Sequence, residues 1–237
     1  MSLKSKRFLI VSLLANVVFI VLFGLIIKRL GGVKYLRYRL GSNSISAQYD
    51  HRQSLYQQLM RPTGGIVFLG DSITEGGAWS ELLNEQNVRN RGIAGDVSSA
   101  LLRRLPTVMG LSPNKLFLMI GINDLLFVSV EEVVTNYKAI VQQIRSTLPD
   151  CQLYLQSVLP VNNEVRNIPI DNAEVRRLNA AIRQIAADNQ LPYLDIHSLL
   201  ADDTGQLSAD YTIDGIHING AAYAKWSESL KGYLSAE

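Results

Sequence analysis

Four short blocks of the sequence carry residue types that together could perform nucleophilic catalysis. They are Gly70-Asp71-Ser72-Ile73-Thr74, Gly92-Ile93-Ala94-Gly95-Asp96, Gly121-Ile122-Asn123-Asp124 and Asp214-Gly215-Ile216-His217. A serine hydroxyl is a poor nucleophile at neutral pH. It needs a base within hydrogen-bond reach, a carboxylate that orients the base, and donors for the oxyanion that forms. Because the four blocks supply each of these groups, they indicate acyl transfer through a serine.

The candidate nucleophile is Ser72, and the candidate base is His217. Asp214 precedes this histidine by three residues, close enough for its carboxylate to accept a hydrogen bond from Nδ1. Each residue also has an ordinary structural interpretation, since Ser72 could be a helix N-cap and His217 could follow a surface turn. Asp195 and His197 form a rival pair at the end of another apolar run, and we interpret that pair as structural.

Two further residues are candidate oxyanion donors. Gly95 offers a backbone N–H where a side chain would obstruct a substrate, and Asn123 offers a side-chain amide. With the N–H of Ser72 they would make a three-donor oxyanion hole, in which each donor lowers the barrier by roughly 3–4 kcal/mol. Taken singly, the glycine is typical of a turn and the asparagine of a side-chain cap.

Composition argues against three other classes of site. The chain has one cysteine and three histidines, too few ligands for a structural zinc site, and we expect no metal or cofactor. No G-x-x-x-x-G-K-[ST] phosphate-binding loop is present. The first 40 residues hold eight Lys and Arg, whereas the remaining 197 hold 15 against 21 Asp and Glu, a net charge of −6. Because the positive charge surrounds one apolar segment, we expect no nucleic-acid partner.

Short apolar runs alternate with longer amphipathic ones from residue 65 onward. The apolar runs predict five buried strands, namely Ile66–Leu69, one near Val88, Leu116–Ile120, Leu153–Leu159 and Tyr193–Ile196. The amphipathic runs between and after them predict helices, namely Trp79–Gln86, Ser98–Met109, Val130–Leu148, Asn172–Asn189 and Ala221–Leu234. This order predicts a three-layer α/β/α sandwich with a five-stranded parallel sheet. The catalytic blocks would then meet at the carboxyl ends of the strands.

An N-terminal run of twenty uncharged residues, Phe8–Ile27, is long enough to cross a bilayer as a helix. It ends in Lys28 and Arg29 without an Ala-x-Ala cleavage pattern, which favours an uncleaved transmembrane anchor over a signal peptide or a buried core helix. The basic flank after the run is the richer one and favours a cytoplasmic body. The short basic head before the run is typical of export, and we favour an extracytoplasmic body.

The remaining segments predict the domain organisation. Glycine, tyrosine and basic residues follow the apolar run, and Tyr49–Met60 has the composition of a helix. We therefore predict a membrane anchor over residues 1–30, a juxtamembrane linker or stalk over 31–63, and a catalytic domain over 64–237. The oligomeric state has no signature in the sequence.

The four blocks, in this order, resemble those of the SGNH (GDSL-like) hydrolases over about residues 66–234. The chain is most similar to the branch with platelet-activating-factor acetylhydrolase catalytic subunits and lysophospholipase-type esterases. The resemblance implies a flavodoxin-like fold, a catalytic triad of Ser72, Asp214 and His217, and an oxyanion hole of Ser72, Gly95 and Asn123. Ile73 stands where many members have Leu, a volume-conserving change.

The resemblance implies a serine esterase that acts on short-chain, acetyl-type esters of a lipid or carbohydrate. Asp71, Leu125 and Leu126 are the expected substrate contacts, and the loops at residues 125–129 and 160–171 are the expected pocket walls. The apolar stretch after Asn123 is also consistent with core packing. Two alternatives stay open, a non-catalytic membrane-anchored module that binds glycan or lipid, and an acyltransferase that uses the same acyl-enzyme.

Overall fold

The computed structural model describes residues 3–29, 44–59 and 63–234. The chain divides into two compact units, one over Met1–Ala47 and one over Gln48–Glu237. The first unit contains helix α1, Leu3–Arg29. The second contains a five-stranded sheet with helices, and it carries all four catalytic blocks.

Helix α1 is predominantly apolar between basic residues at its two ends. The stretch Ser5–Ile26 has a mean hydropathy of 2.9, and none of it is buried within the protein. Its 22 residues span about 33 Å at the helical rise of about 1.5 Å per residue. The helix is thus long and apolar enough to cross a membrane, a property that signal sequences share.

All five strands are parallel, as the sequence predicts. They are β1 (Ile66–Gly70), β2 (Val88–Gly92), β3 (Lys115–Met119), β4 (Gln152–Gln156) and β5 (Tyr193–Leu194). Their order in the sheet is β2-β1-β3-β4-β5, so β1 lies between β2 and β3. Strand β4 ends before the apolar run does, and β5 has only two residues because Asp195 caps the helix that follows.

The helices form two groups around the sheet. In chain order they are α2 (Ser44–Gln58), α3 (Ser72–Glu75), α4 (Trp79–Leu83), α5 (Ser98–Met109), α6 (Val130–Thr147), α7 (Asn172–Asp188), α8 (Ile196–Leu200) and α9 (Gly220–Leu234). Helices α5, α6 and α7 pack side by side, whereas α9 packs against α4 and α8. With the sheet between the two groups, the α/β/α sandwich that the sequence predicts is confirmed.

Aromatic side chains fix the position of the central strands. The rings of Phe68 and Trp79 stack with centroids 4.1 Å apart, and Phe68 and Phe117 stack at 4.9 Å. Both phenylalanines are fully buried, on β1 and β3 respectively. Because burial of each large aromatic stabilises the fold by about 1.5–3 kcal/mol, this stack holds firmly the strand that leads to Ser72.

The segment that the sequence predicts as a linker contains helix α2, and residues 30–43 and 60–62 of it lie outside the described residues. From Gln48 onward, α2 belongs to the second compact unit. Its Tyr56 is 7% exposed and donates a hydrogen bond to the carbonyl oxygen of Gly92 at 2.8 Å. This part of the helix therefore packs on the body.

Candidate active site

Ser72 is the first residue of α3 and follows the last residue of strand β1 by two positions. The N-cap of this helix is Asp71, whose Oδ1 accepts a hydrogen bond from the Ile73 N–H at 3.0 Å. The capping role that could have explained the serine is therefore filled by its neighbour. The Ser72 hydroxyl instead lies 3.0 Å from Nε2 of His217.

The segment from Asp214 to His217 supplies the imidazole that contacts the serine and the carboxylate that contacts the imidazole. Nδ1 of His217 lies 2.9 Å from Asp214 Oδ2. The other carboxylate oxygen accepts the backbone N–H groups of Ile216 at 3.1 Å and His217 at 2.8 Å. Partial burial alone would raise the pKa of Asp214, but these hydrogen bonds outweigh it and hold the pKa below its ordinary value. The carboxylate is thus ionised where it faces the ring.

The rival pair has different partners. Asp195 caps α8 through the Ser198 N–H and forms an ion pair with Arg183 at 2.8 Å. His197 is 9% exposed, and burial lowers its pKa, which favours the neutral ring. Its backbone N–H donates to the hydroxyl of Ser157 at 2.7 Å. These contacts agree with the structural interpretation of the pair.

The two candidate oxyanion donors lie on either side of Ser72. Gly95 follows β2 and Asn123 follows β3, the two strands that flank β1. Gly95 has φ +75°, a conformation that L side chains rarely adopt. The amide Nδ2 of Asn123 donates to the carbonyl oxygen of Asp96 at 2.9 Å, which orients the amide and leaves its second N–H available. The first backbone N–H groups of a helix have no intrahelical acceptor, so the Ser72 N–H is also available.

Buried charged residues support these loops, and sequence reasoning gave them no role. Asp96 is 1% exposed and forms an ion pair with Arg104 at 2.7 Å, and Arg104 also donates to the carbonyl oxygen of Gly70. The carboxylate of Asp124 accepts the Ser98 N–H at the start of α5. One signal was available in the sequence, because Arg104 lies on the apolar face of α5.

Asp71 carries the strongest electrostatic perturbation near the nucleophile. Burial, with smaller contributions from the nearby carboxylates of Asp96 and Asp124, raises its pKa to about 7 against the hydrogen bond from the Ile73 N–H. Its side chain is 1% exposed. The carboxyl group adjoining Ser72 therefore titrates near neutral pH.

The three predicted substrate contacts differ in exposure. Asp71 and Leu125 are buried, with 1% and 7% exposure, so neither side chain is open to a substrate in this structure. Leu126 is 38% exposed, and Phe127 beside it is 79% exposed. On the other predicted wall, Arg166 Nη1 lies 3.9 Å from the carboxylate of Asp214. Within the described residues, no group of three His, Cys, Asp or Glu side chains could hold a metal ion.

The sequence matches known proteins over most of the second unit. The family model of the GDSL-like lipases and acylhydrolases matches residues 68–225. The chain is 27% identical over 168 residues to the N-acylneuraminate cytidylyltransferase of Streptococcus agalactiae, and the match covers 70% of this chain but only 38% of that protein. It is 28% identical over 171 residues to the rat platelet-activating factor acetylhydrolase IB subunit alpha2, covering 70% of this chain and 73% of the subunit.

Solved structures agree with the sequence matches. A Streptococcus pneumonia protein provisionally described as a platelet activating factor is 32% identical, with a TM-score of 0.77, and the match covers 84% of this chain and 98% of that one. A GDSL-like lipase from Bacteroides thetaiotaomicron is 25% identical, with a TM-score of 0.67 and coverage of 79% and 97%. On these matches, the chain belongs to the GDSL-like lipase/acylhydrolase family and is a hydrolase of the SGNH type.

Proposed function

We propose that this hydrolase is a serine esterase that removes short-chain, acetyl-type acyl groups from a lipid or carbohydrate through an acyl-enzyme on Ser72. The observation that carries the proposal is the continuous chain of contacts from Ser72 Oγ to His217 Nε2 at 3.0 Å and from His217 Nδ1 to Asp214 at 2.9 Å. A nucleophile, a base and a group that orients the base are the three parts that serine hydrolysis requires.

In the proposed mechanism, Ser72 Oγ attacks the ester carbonyl carbon while His217 Nε2 takes the hydroxyl proton. The ionised Asp214 stabilises the imidazolium that forms. When the tetrahedral intermediate collapses, His217 returns the proton to the leaving alkoxide, and the acyl group stays on the serine. Water, deprotonated by His217, then attacks the acyl-enzyme, and His217 returns this proton to Ser72 Oγ as the acid is released.

The negative charge of the tetrahedral intermediate would lie between the loops that follow β2 and β3. The N–H groups of Ser72 and Gly95 and the amide of Asn123 are the proposed donors. They are preorganised, since a buried hydrogen-bond network holds both loops before substrate binds. Such donors stabilise the transition state without any cost of reorganisation.

Exposed apolar side chains beside the site favour an acyl substrate. Leu126 and Phe127 follow Asn123 by three and four positions and remain exposed to solvent. Two relatives bear names that concern acylated compounds, an acetylhydrolase of platelet-activating factor and a cytidylyltransferase of N-acylneuraminate. These names support a small acyl group on a lipid or a sugar, and we propose that class of ester as the substrate.

The test is hydrolysis of a p-nitrophenyl ester series from acetate to octanoate by the full-length protein in detergent micelles. We expect measurable turnover that is greatest for short acyl chains and is lost in Ser72→Ala, which removes only the hydroxyl oxygen. Equal activity of this variant would overturn the assignment of the nucleophile. Absence of turnover by the folded wild-type protein at every chain length would instead favour a binding module.

Added acceptor alcohols distinguish hydrolysis from acyl transfer. If water is the natural acceptor, the free acid remains the main product when a sugar or glycerol is present. A preponderance of the new ester would indicate an acyltransferase that uses the same acyl-enzyme.

For the whole chain, we propose a single-pass membrane protein. Residues 8–27 would span the bilayer, residues 31–63 would join this anchor to the catalytic domain at residues 64–237, and the domain would lie outside the cytoplasm. The length and hydropathy of α1 support this arrangement. No metal, cofactor or nucleic acid takes part in the proposed reaction.

A further inference from the structure

Glu75 links the nucleophile helix, helix α2 and the loop that carries Gly95. It is the last residue of α3, three positions after Ser72. Its Oε2 accepts the backbone N–H of Ala94 at 2.8 Å, and its Oε1 lies 2.5 Å from Nε of Arg52 on α2. The Glu75 side chain is only 12% exposed. One carboxylate therefore joins three segments at the edge of the candidate site.

Two tyrosines of α2 contact the same loop at its two ends. The hydroxyl of Tyr56 donates to the carbonyl oxygen of Gly92 at 2.8 Å. The hydroxyl of Tyr49 interacts with the carboxylate of Asp96, the residue whose carbonyl oxygen accepts the Asn123 amide. Helix α2 thus contacts the start and the end of the loop directly, and its middle through Glu75.

The middle contact bears on the direction of the Gly95 N–H. That N–H belongs to the peptide between Ala94 and Gly95, and the Ala94 N–H bound by Glu75 belongs to the peptide immediately before it. With φ +75°, Gly95 lies in a region where glycine has wide conformational freedom, so its own backbone does little to fix the loop. A partly buried carboxylate also requires partners, and here Arg52 and Ala94 supply them.

We propose that Glu75 is a positioning residue that aims the Gly95 N–H at the oxyanion, and that α2 is part of the active-site framework. The inference rests on the proposed esterase function. Helix α2 precedes the segment that the family model matches. The contacts that hold the Gly95 loop therefore come in part from outside the matched region. Loss of the Glu75 carboxylate leaves the triad in place and lets the loop rotate away from the oxyanion.

The experiment compares full-length Glu75→Ala, Glu75→Gln and Arg52→Ala with the wild-type protein in detergent micelles, using p-nitrophenyl acetate. An ångström-scale displacement of a catalytic group can lower the rate about 100-fold, so we expect Glu75→Ala to lower kcat about 10- to 100-fold with KM within about twofold. Glu75→Gln keeps an oxygen that accepts the Ala94 N–H, and we expect it to retain kcat within roughly threefold of wild type. Arg52→Ala should lie between the two.

A boronic acid that forms a tetrahedral adduct with the serine supplies a second readout. Its inhibition constant should rise by about the same factor as kcat falls, because both quantities depend on the oxyanion donors. A variant that has only lost stability would have a lower unfolding midpoint but no matching change in kcat and inhibition constant. Glu81→Ala is the matched control, since the Glu81 side chain is exposed on the neighbouring helix α4, and it should have wild-type kinetics.

Four outcomes separate the two proposals. Wild-type protein that is active only with Ser72 intact, together with the expected Glu75 series, supports both. Wild-type kcat in Glu75→Ala would overturn the positioning role and leave the esterase standing. If Glu75→Ala does not fold, Arg52→Ala decides in its place, and wild-type kcat and boronic acid affinity in that variant would likewise overturn the positioning role. Absence of any serine-dependent turnover would overturn the esterase function itself.

Discussion

The carboxylate of Asp214 binds both the turn and the ring of the proposed base. One oxygen accepts two backbone N–H groups of the Asp214–His217 segment, and the other accepts the imidazole Nδ1. This explains the three-residue spacing, because the same turn that places His217 toward Ser72 is stabilised by the group that orients its ring. Replacement of the aspartate would therefore change both the tautomer of the base and its position.

The histidines of the two Asp–His pairs, His217 and His197, should respond differently to replacement. We expect His217→Ala to lower kcat on p-nitrophenyl acetate by about 10⁴-fold or more, since it removes the base of the triad. His197→Ala should keep kcat within a few-fold and lower the unfolding midpoint, because His197 is a buried side chain. Steady-state kinetics and thermal unfolding of both variants check this. A folded His197→Ala protein without activity would transfer the role of base to His197.

Asp71 should make stability depend on pH. Its pKa is raised from 3.8 to about 7 by burial. Between pH values near these two pKa values, Asp71 keeps its proton in the folded state but has released it in the unfolded state. Its contribution to stability is therefore complete only below the unfolded pKa, and it is lost as pH rises through the folded pKa. We expect Asp71→Asn, whose side chain can still cap α3, to gain stability relative to wild type as pH rises from 5 to 8.

Thermal unfolding at several pH values measures this difference. A change of about 1 kcal/mol shifts the midpoint by roughly 2–4 °C in a domain of this size, so the relative gain should be several degrees. Asp96 and Asp124, whose pKa values are also raised by burial, remain in both proteins, and their charge interaction with Asp71 is part of the difference that the comparison measures. A difference between the two midpoints that is constant with pH would contradict the assignment.

At the scale of elements, the longer helices could be predicted from sequence, whereas of the short ones only the helix that begins at Trp79 was predicted. The helix Ser98–Met109 has the predicted bounds because its apolar residues recur with helical periodicity over three turns. The helix Ser72–Glu75 has one turn, and Asp124–Leu126 has less than one, too short for any periodicity. The apolar run Leu153–Leu159 overstated β4 because buried backbone continues past the last strand pairing at Gln156.

The same limit applies to the candidate site. Motif spacing was enough to single out Ser72 and His217, 145 residues apart, whose side chains the structure brings together. The supporting contacts of Glu75 and Arg104 were not predicted, because they join segments 19 and 34 residues apart through hydrogen bonds to backbone groups. Any polar side chain can make such a bond, and the fold alone decides which one does.

For the molecule as a whole, the basic residues are concentrated in the N-terminal part of the chain that contains α1, and the acidic residues in the part that contains the catalytic domain. The first 40 residues carry eight basic groups and no acidic ones, and they contain α1. The remainder is acidic overall and carries the family domain. Basic residues on both sides of an apolar helix suit the headgroup layers of an anionic membrane, whereas an acidic body is repelled by them.

The proposed anchor predicts that the full-length protein stays in the membrane fraction after an alkaline carbonate wash. A helix with a predominantly apolar stretch of 22 residues is held by the hydrophobic effect, which high pH does not weaken, whereas a peripheral protein is released. The control is a double variant with Leu14→Lys and Val18→Lys, two exposed positions in the middle of α1. Each lysine should cost about 2.5–3.5 kcal/mol of insertion free energy, so this variant should appear in the supernatant. Recovery of the wild-type chain from the supernatant, shortened by about the length of α1, would show instead that the helix is a cleaved signal sequence.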